Sequence, residues 1–140
     1  MREGRKFPLF SLFDKAGSRQ LQRSIGGSGE DIAAVFLQRL GYVILTRNYR
    51  RRFGEIDIVA EEGDILVFVE VKTRSSAAFG SPLEAVDSRK QRRMARAALD
   101  YLSRSKQHGR QARFDVVAVL LQPQGSPRIE HIRNAFDIQQ

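Results

Sequence analysis

The chain has 140 residues, 41% of them hydrophobic, with 24 Lys and Arg against 16 Asp and Glu and a formal charge of +8. That length suits one domain burying about two-thirds of its unfolded surface, and the basic balance points to a polyanion, nucleic acid ahead of an anionic membrane. The absence of cysteine excludes disulfides, thiolate catalysis and cysteine zinc sites and fits a cytoplasmic setting; no apolar run approaches the ~20 residues of a membrane span.

Residues 1–28 carry six Lys and Arg against two acids. Phe7 to Phe13 is apolar, but it is short, contains Pro8 and ends at Asp14-Lys15, unlike a secretory signal. Gly26-Gly27-Ser28-Gly29 reads as a flexible linker. The expectation is a basic flexible arm over 1–28 and a folded α/β domain over 29–140.

Ser28 is placed to cap a helix from Gly29 to about Leu40, with Glu30 and Asp31 in the first turn, where the macrodipole favours anions. Ile32, Val35, Phe36 and Leu40 line one side, and Ala33, Ala34 and Leu37 widen the band, so the helix is expected to pack on more than one side. Glu30 is either solvated at that first turn or turned toward the sheet. Tyr42 to Thr46 reads as a strand, followed by a basic turn, Arg47-Asn48-Tyr49-Arg50-Arg51-Arg52, suited to phosphate contacts.

Ile56 to Ala60 and Ile65 to Lys72 read as the strands of a hairpin, with the turn in Glu61-Glu62-Gly63-Asp64. Alternation puts Glu70 and Lys72 on one face with Leu66 and Phe68. With Glu62-Gly63 as a two-residue turn, Asp57 pairs with Phe68 and becomes a diagonal neighbour of Glu70; a slip of one residue would send the two acids to opposite faces. A carboxylate among Phe68, Leu66 and Val59 needs a partner. A structural ion pair with Lys72 or an arginine would supply one. With Asp57 on the same face, the negative charge exceeds what Lys72 neutralises, and a divalent cation held by oxygen ligands, Mg²⁺ or Mn²⁺, would balance it.

Thr73 to Pro82 reads as a loop of small residues. Ser88 is placed to cap a helix to about Ser103, with Gln91 completing a capping box. Met94, Ala97, Ala98, Tyr101 and Leu102 form its apolar stripe; Arg89, Arg92, Arg93 and Arg96 form a basic one, with Lys90 beside it. Ala112 to Leu121 reads as a central strand, Pro123 to Pro127 turns the chain, and Ile129 to Ile132 reads as a short edge strand. Asp115 is expected to be a buried structural hydrogen-bonder, and His108 and His131 bystanders. The order α-βββ-α-β-β describes an α/β domain with a mixed sheet flanked by helices.

Asp57, twelve intervening residues and Glu70-Val71-Lys72 resemble the D…ExK signature of the restriction-endonuclease-like nuclease superfamily, and a preceding helix carrying Glu30 is similar to its archaeal Holliday-junction resolvase branch. Together Gly29-Glu30, Arg47-Asn48-Tyr49-Arg50, Gly54-Glu55-Ile56-Asp57, Phe68 to Arg74, Lys90, Phe114 to Val117 and Asn134-Ala135-Phe136 resemble the YraN family of bacterial proteins over roughly residues 29–136. That resemblance implies a restriction-endonuclease-like, nuclease-like domain over 29–140. It implies a Mg²⁺- or Mn²⁺-dependent endonuclease acting on DNA ahead of RNA, on branched or repair and recombination intermediates by analogy with the resolvases.

In such a site Asp57, Glu70 and the Val71 carbonyl would hold the metal, Glu30 would complete its shell or position a second ion, and Lys72 would orient the attacking water or stabilise developing charge. Glu55, in the Gly-Glu-Ile-Asp motif, is either accessory or structural. Arg47, Arg50, Arg51, Arg74, Arg89, Lys90, Arg92 and Arg93 would bind phosphates without sequence choice. A resolvase-like role implies a symmetric homodimer. Two other functions share the pattern: a nucleic-acid-binding protein of nuclease fold without turnover, and a basic adaptor for an acidic protein partner.

Overall fold

The computed structural model describes the backbone of residues 3–8 and, in full, residues 28–74 and 86–137. A six-stranded sheet has β1 (Glu3–Pro8), β2 (Val43–Arg51), β3 (Gly54–Glu62), β4 (Ile65–Arg74), β5 (Ala112–Leu120) and β6 (Arg128–Phe136) in the spatial order β1-β6-β5-β4-β3-β2. Only the β4–β5 pairing is parallel. Helix α1 (Gly29–Arg39) precedes β2 and α2 (Ser88–Arg104) joins β4 to β5, the crossover that a parallel pair requires. From α1 onward this is the α-βββ-α-β-β order of a restriction-endonuclease-like core. Within the segment expected to be an arm, Glu3–Pro8 pairs antiparallel with β6. The loop expected over Thr73 to Pro82 gives up Thr73 and Arg74 to β4, and its remainder lies outside the described residues. Among the described residues no helix is long and apolar enough to cross a membrane.

The two helices cover opposite faces of the sheet. Ile32, Phe36 and Leu37 of α1 pack on Ile58, Val67, Val69, Val117 and Val119. Met94, Ala97, Ala98 and Leu102 of α2 pack on Val59, Leu66, Phe68, Phe114 and Val116. Strands β4 and β5 are therefore buried on both sides, which is why they read as nearly continuous apolar runs. Ring contacts Phe68–Phe114 and Phe114–Phe136, with centroids 5.7 and 4.6 Å apart, tie three strands together on the α2 side.

Three local expectations are corrected. The Arg47–Arg52 segment is not a turn: β2 runs through it to Arg51. The α2 cap is Asp87, whose Oδ1 accepts the Lys90 amide at 2.9 Å, and Gln91 reaches back to the Val86 carbonyl at 2.9 Å; the capping motif thus lies one residue earlier than the Ser88 reading. Strand β6 runs nine residues to Phe136 and lies inside the sheet, between β5 and β1.

Candidate active site

The hairpin register places the site. Glu62 pairs with Ile65, so the turn is Gly63-Asp64, with Gly63 at φ 59°, the positive φ that a two-residue hairpin needs. This differs from the Glu62-Gly63 turn by a register of two residues. A shift of two preserves the facing of every side chain, so Glu70 still lies with Leu66 and Phe68 beneath α2. Asp57 moves from a diagonal position to one level with Glu70.

The ladder itself stops at Ile58↔Val69, one pair short of the acids. Ile56 packs on the α2 side and Ile58 on the α1 side, although residues two apart in a regular strand share a face. The neighbouring strand does the same: Arg47 reaches α1 and Tyr49 packs under α2, with Asn48 between them at φ 56°. Asp57 sits at that crossover. Its Oδ2 accepts the Val71 amide hydrogen at 2.8 Å, replacing the backbone bond that the opened ladder has lost. A strand residue directs its N–H and C=O to the same side, so the Val71 carbonyl also faces this opening.

Glu70 is 3% exposed and is held by two lysines, Lys72 at 3.6 Å and Lys90 in direct contact. Burial, then the charge of Glu70, raises the Asp57 pKa to about 6, against the Val71 amide bond, which lowers it. Lys72 lies below its ordinary value, through its contact with Lys90, then burial. Lys90 lies above its ordinary value: burial opposes its charge, but its bonds to Glu70 and Lys72 outweigh that cost. The site is therefore a buried set of two acids and two lysines sharing protons and charge.

Two glycines hold the supporting elements. A Cβ on Gly54 would strike the Arg93 carbonyl, and one on Gly29 the Thr73 side chain. The first lets β3 approach the α2 backbone; the second brings the α1 N-terminus, which Ser28 caps, against the end of β4. Both glycines head the acid-bearing motifs, Gly54-Glu55-Ile56-Asp57 and Gly29-Glu30.

Not every expected residue joins the acids. Glu30 accepts from Arg47 Nε at 3.1 Å and Asn48 Nδ2 at 3.0 Å. Among the described residues no three Asp, Glu, His or Cys side chains gather as a metal-binding group, so Glu30 is not assembled with Asp57 and Glu70 into one shell. Three arginines expected at phosphates have internal partners: Arg47 with Glu30 and Asp31, Arg50 with Glu55 at 3.5 Å, and Arg51 with Asp100 at 2.9 Å. Arg74 ends β4 half-buried, its carbonyl accepting the Leu121 amide at 2.7 Å.

The α2 stripe behaves differently. Arg89, Arg92, Arg93 and Arg96 are exposed and make no ion pair with any described residue. Lys90, grouped with them from sequence, belongs to the acids instead. The signal for this is legible: Lys90 lies four residues before Met94 and seven before Ala97, on the buried stripe of a helix with about 3.6 residues per turn.

A second buried polar cluster lies on the α1 side. Asp115, fully buried, accepts from Arg113 Nε at 2.9 Å and the Asn134 amide at 3.0 Å, and bonds His131 Nε2 at 2.8 Å. Burial would raise its pKa, but the bonds from His131 and Arg113 hold it below the ordinary carboxylate value. The reading of Asp115 as a buried structural hydrogen-bonder holds. His131, fully buried in this network, is not on an edge strand.

Residues 29–119 match the family described as uncharacterised protein family UPF0102. A UPF0102 protein of Rhodococcus opacus is 49% identical over 113 residues, 81% of this chain and 96% of the relative. One of Geobacter sulfurreducens is 52% identical over 114 residues, covering 81% and 89%, and one of Pelobacter propionicus is 51% identical over 123 residues, covering 86% and 88%. With this fold and these matches, the chain belongs to the UPF0102, or YraN, family, within the restriction-endonuclease-like nuclease superfamily.

Proposed function

We propose that this protein is a metal-dependent phosphodiesterase acting on DNA, with Asp57, Glu70 and Lys72 at the reacting centre. The observation that carries this reading is the meeting of Asp57 and Glu70 where the β3–β4 ladder opens, next to Lys72 and on the same helix-covered face as an arginine stripe without an ion-pair partner among the described residues. A binding surface for phosphates has no need of two acids beside it, since they repel the ligand.

The donor set fits Mg²⁺ or Mn²⁺. Asp57, Glu70 and the Val71 carbonyl offer oxygen only, and Mg²⁺ is commonly held by one or two carboxylates with water and substrate phosphate completing its shell. Burial, then the charge of Glu70, raises the Asp57 pKa, and a cation between the two acids would relieve the repulsion between them. When bound, the metal would supply a water of lowered pKa and offset charge growing at phosphorus.

The protein's own groups do the rest. Lys72 lies within reach of Glu70 and would orient the attacking water or stabilise charge on the phosphoryl oxygens. Lys90 fixes the Glu70 carboxylate from α2 and is a positioning residue. Arg89, Arg92 and Arg93 would hold phosphates along the strand.

The same geometry also fits binding without turnover, because Lys72 and Lys90 already neutralise Glu70. A cleavage assay at low salt separates the two. Wild type and Glu70→Ala would each meet four-way-junction, linear duplex and single-stranded DNA and RNA, with Mg²⁺, Mn²⁺ or EDTA. Cleavage by wild type that needs both metal and Glu70 is expected. Cleavage retained by Glu70→Ala would overturn the site; tight binding with no cleavage would favour the silent binder.

A further inference from the structure

Beside Glu70, between the start of β3 and the first turns of α2, lies a cavity of about 360 Å³ lined by Glu55, Asp87, Arg89, Lys90, Arg93 and Met94. Its size falls within the ~300–1,000 Å³ class of small-ligand sites, enough for one nucleotide. The lining is chemically divided. Arg89 and Arg93 offer guanidinium groups without an internal ion-pair partner among the described residues. Met94, 1% exposed, lies beneath the floor of the cavity and belongs to the core. The Asp87 carboxylate is engaged at the helix cap, which leaves Glu55, on an exposed side chain held by Arg50 at 3.5 Å, as the acceptor facing the cavity.

An occupant must therefore present an anion to two arginines and a hydrogen-bond donor to Glu55. An acidic peptide meets the first demand and fails the last, since its carboxylates would face Glu55 as like charges. A nucleotide with an exocyclic amine meets both: carboxylates accept from cytosine N4 and its analogues, and guanidinium groups bind phosphates and stack on unpaired bases.

We infer that this cavity receives one unpaired nucleotide of the bound strand, its phosphate on Arg89 and Arg93 and its amine on Glu55. The inference rests on the nucleic-acid reading above and adds a substrate class to it. A base stacked inside a duplex cannot enter such a cavity. Strands with a bulge, flap or branch next to the contacted phosphates would therefore bind in preference to uninterrupted duplex. Lys90 forms part of the wall and also holds Glu70, so the occupied cavity adjoins the reacting centre.

The test reads binding, in EDTA, so that no strand is cut. Fluorescence anisotropy compares a perfect duplex with duplexes carrying a single cytosine or a single thymine bulge, using wild type and Glu55→Ala. Wild type is expected to bind the cytosine bulge about tenfold more tightly than perfect duplex, and about fivefold more tightly than the thymine bulge, the discrimination of one good base contact. Glu55→Ala, a change at an exposed side chain that removes the acceptor, should keep the bulge preference and lose the cytosine preference. A 2-aminopurine in the bulge should change its emission on binding as it leaves the stack. Equal affinity of wild type for all three duplexes would overturn the inference and leave the basic interface standing. Cytosine preference unchanged in Glu55→Ala would also overturn it, since the amine would then be read elsewhere. Failure to bind any duplex would remove the nucleic-acid reading itself.

Discussion

Asp57 Oδ2 accepts the amide hydrogen of Val71 at 2.8 Å, so at the point where backbone pairing between β3 and β4 ends, a carboxylate closes the gap. That one bond fixes the Asp57 rotamer beside Glu70 and turns the Val71 backbone toward the same opening. The acids are thus positioned by the failure of a ladder, and the geometry is rigid because the strands on either side are buried.

A cation held there binds the native state alone and stabilises it, by about 2.7 kcal/mol at a hundredfold excess over the dissociation constant. For a domain of this size that is a rise in melting temperature of roughly 5–10 °C. Mg²⁺ should produce such a rise in wild type and none in Asp57→Asn or Glu70→Gln, measured by thermal unfolding against EDTA. Equal shifts in all three proteins would place the ion elsewhere.

Lys90 and the arginine stripe share a helix but should fail differently. Lys90 is bonded to Glu70, so Lys90→Met should slow cleavage by about 10²-fold, the scale of a lost electrostatic contact at a reacting centre. It should cost little DNA affinity. Cleavage rate and anisotropy on the same preparations check this. A variant that cleaves normally but binds weakly would return Lys90 to the phosphate-binding stripe.

Arg89, Arg92 and Arg93 have no ion-pair partner among the described residues to stabilise, so their removal should leave the fold intact. Replacing all three with Ala should reduce the slope of log K against log salt by about 2–3, at about 0.9 per phosphate contact on duplex DNA. An unchanged slope would make the stripe a solvated face only.

How far the sequence foretold these features depended on the distance over which each was specified. The α-βββ-α-β-β order and the shared face of Glu70 and Lys72 were legible because periodicities of 2 and 3.6 residues are written locally. The hairpin turn was misplaced by one residue, and its faces survived only because the resulting register error was two. The ion pairs of Arg47 with Glu30 and of Arg51 with Asp100 join positions 17 and 49 apart, and no local pattern announces them; hence a strand whose arginines are internally paired resembled a phosphate-binding turn. Lys90 was legible but overlooked, its place on the Met94 stripe outweighed by the basic residues around it. Asp57 illustrates the limit: its motif marked it, yet the crossover of β2 and β3 that sets its direction depends on Asn48 adopting a positive φ, which side-chain alternation does not encode.

The network around Asp115 lies on the opposite face of the sheet from Glu70, and it makes a separate prediction about pH. Its carboxylate is fully buried, with Arg113, His131, Tyr42 and the Asn134 amide facing it. Burial alone would raise its pKa; the bonds from His131 and Arg113 outweigh this and depress it. A depressed folded-state pKa means that the stabilisation is fully present above the ordinary Asp value and is lost as pH falls through the folded value. Asp115→Asn removes the charge and turns an amide donor toward Arg113, and breaking a buried pair on one side costs about 3–5 kcal/mol. Urea unfolding at pH 7, where Asp115 is ionised in folded and unfolded chains alike, should show that deficit. Below about pH 4 the gap should narrow, because the unfolded wild type then gains protons that the folded protein refuses. Groups that do not touch Asp115 cancel in the difference, so a gap constant from pH 5 to pH 3 would mean that Asp115 contributes through packing and hydrogen bonding without its charge.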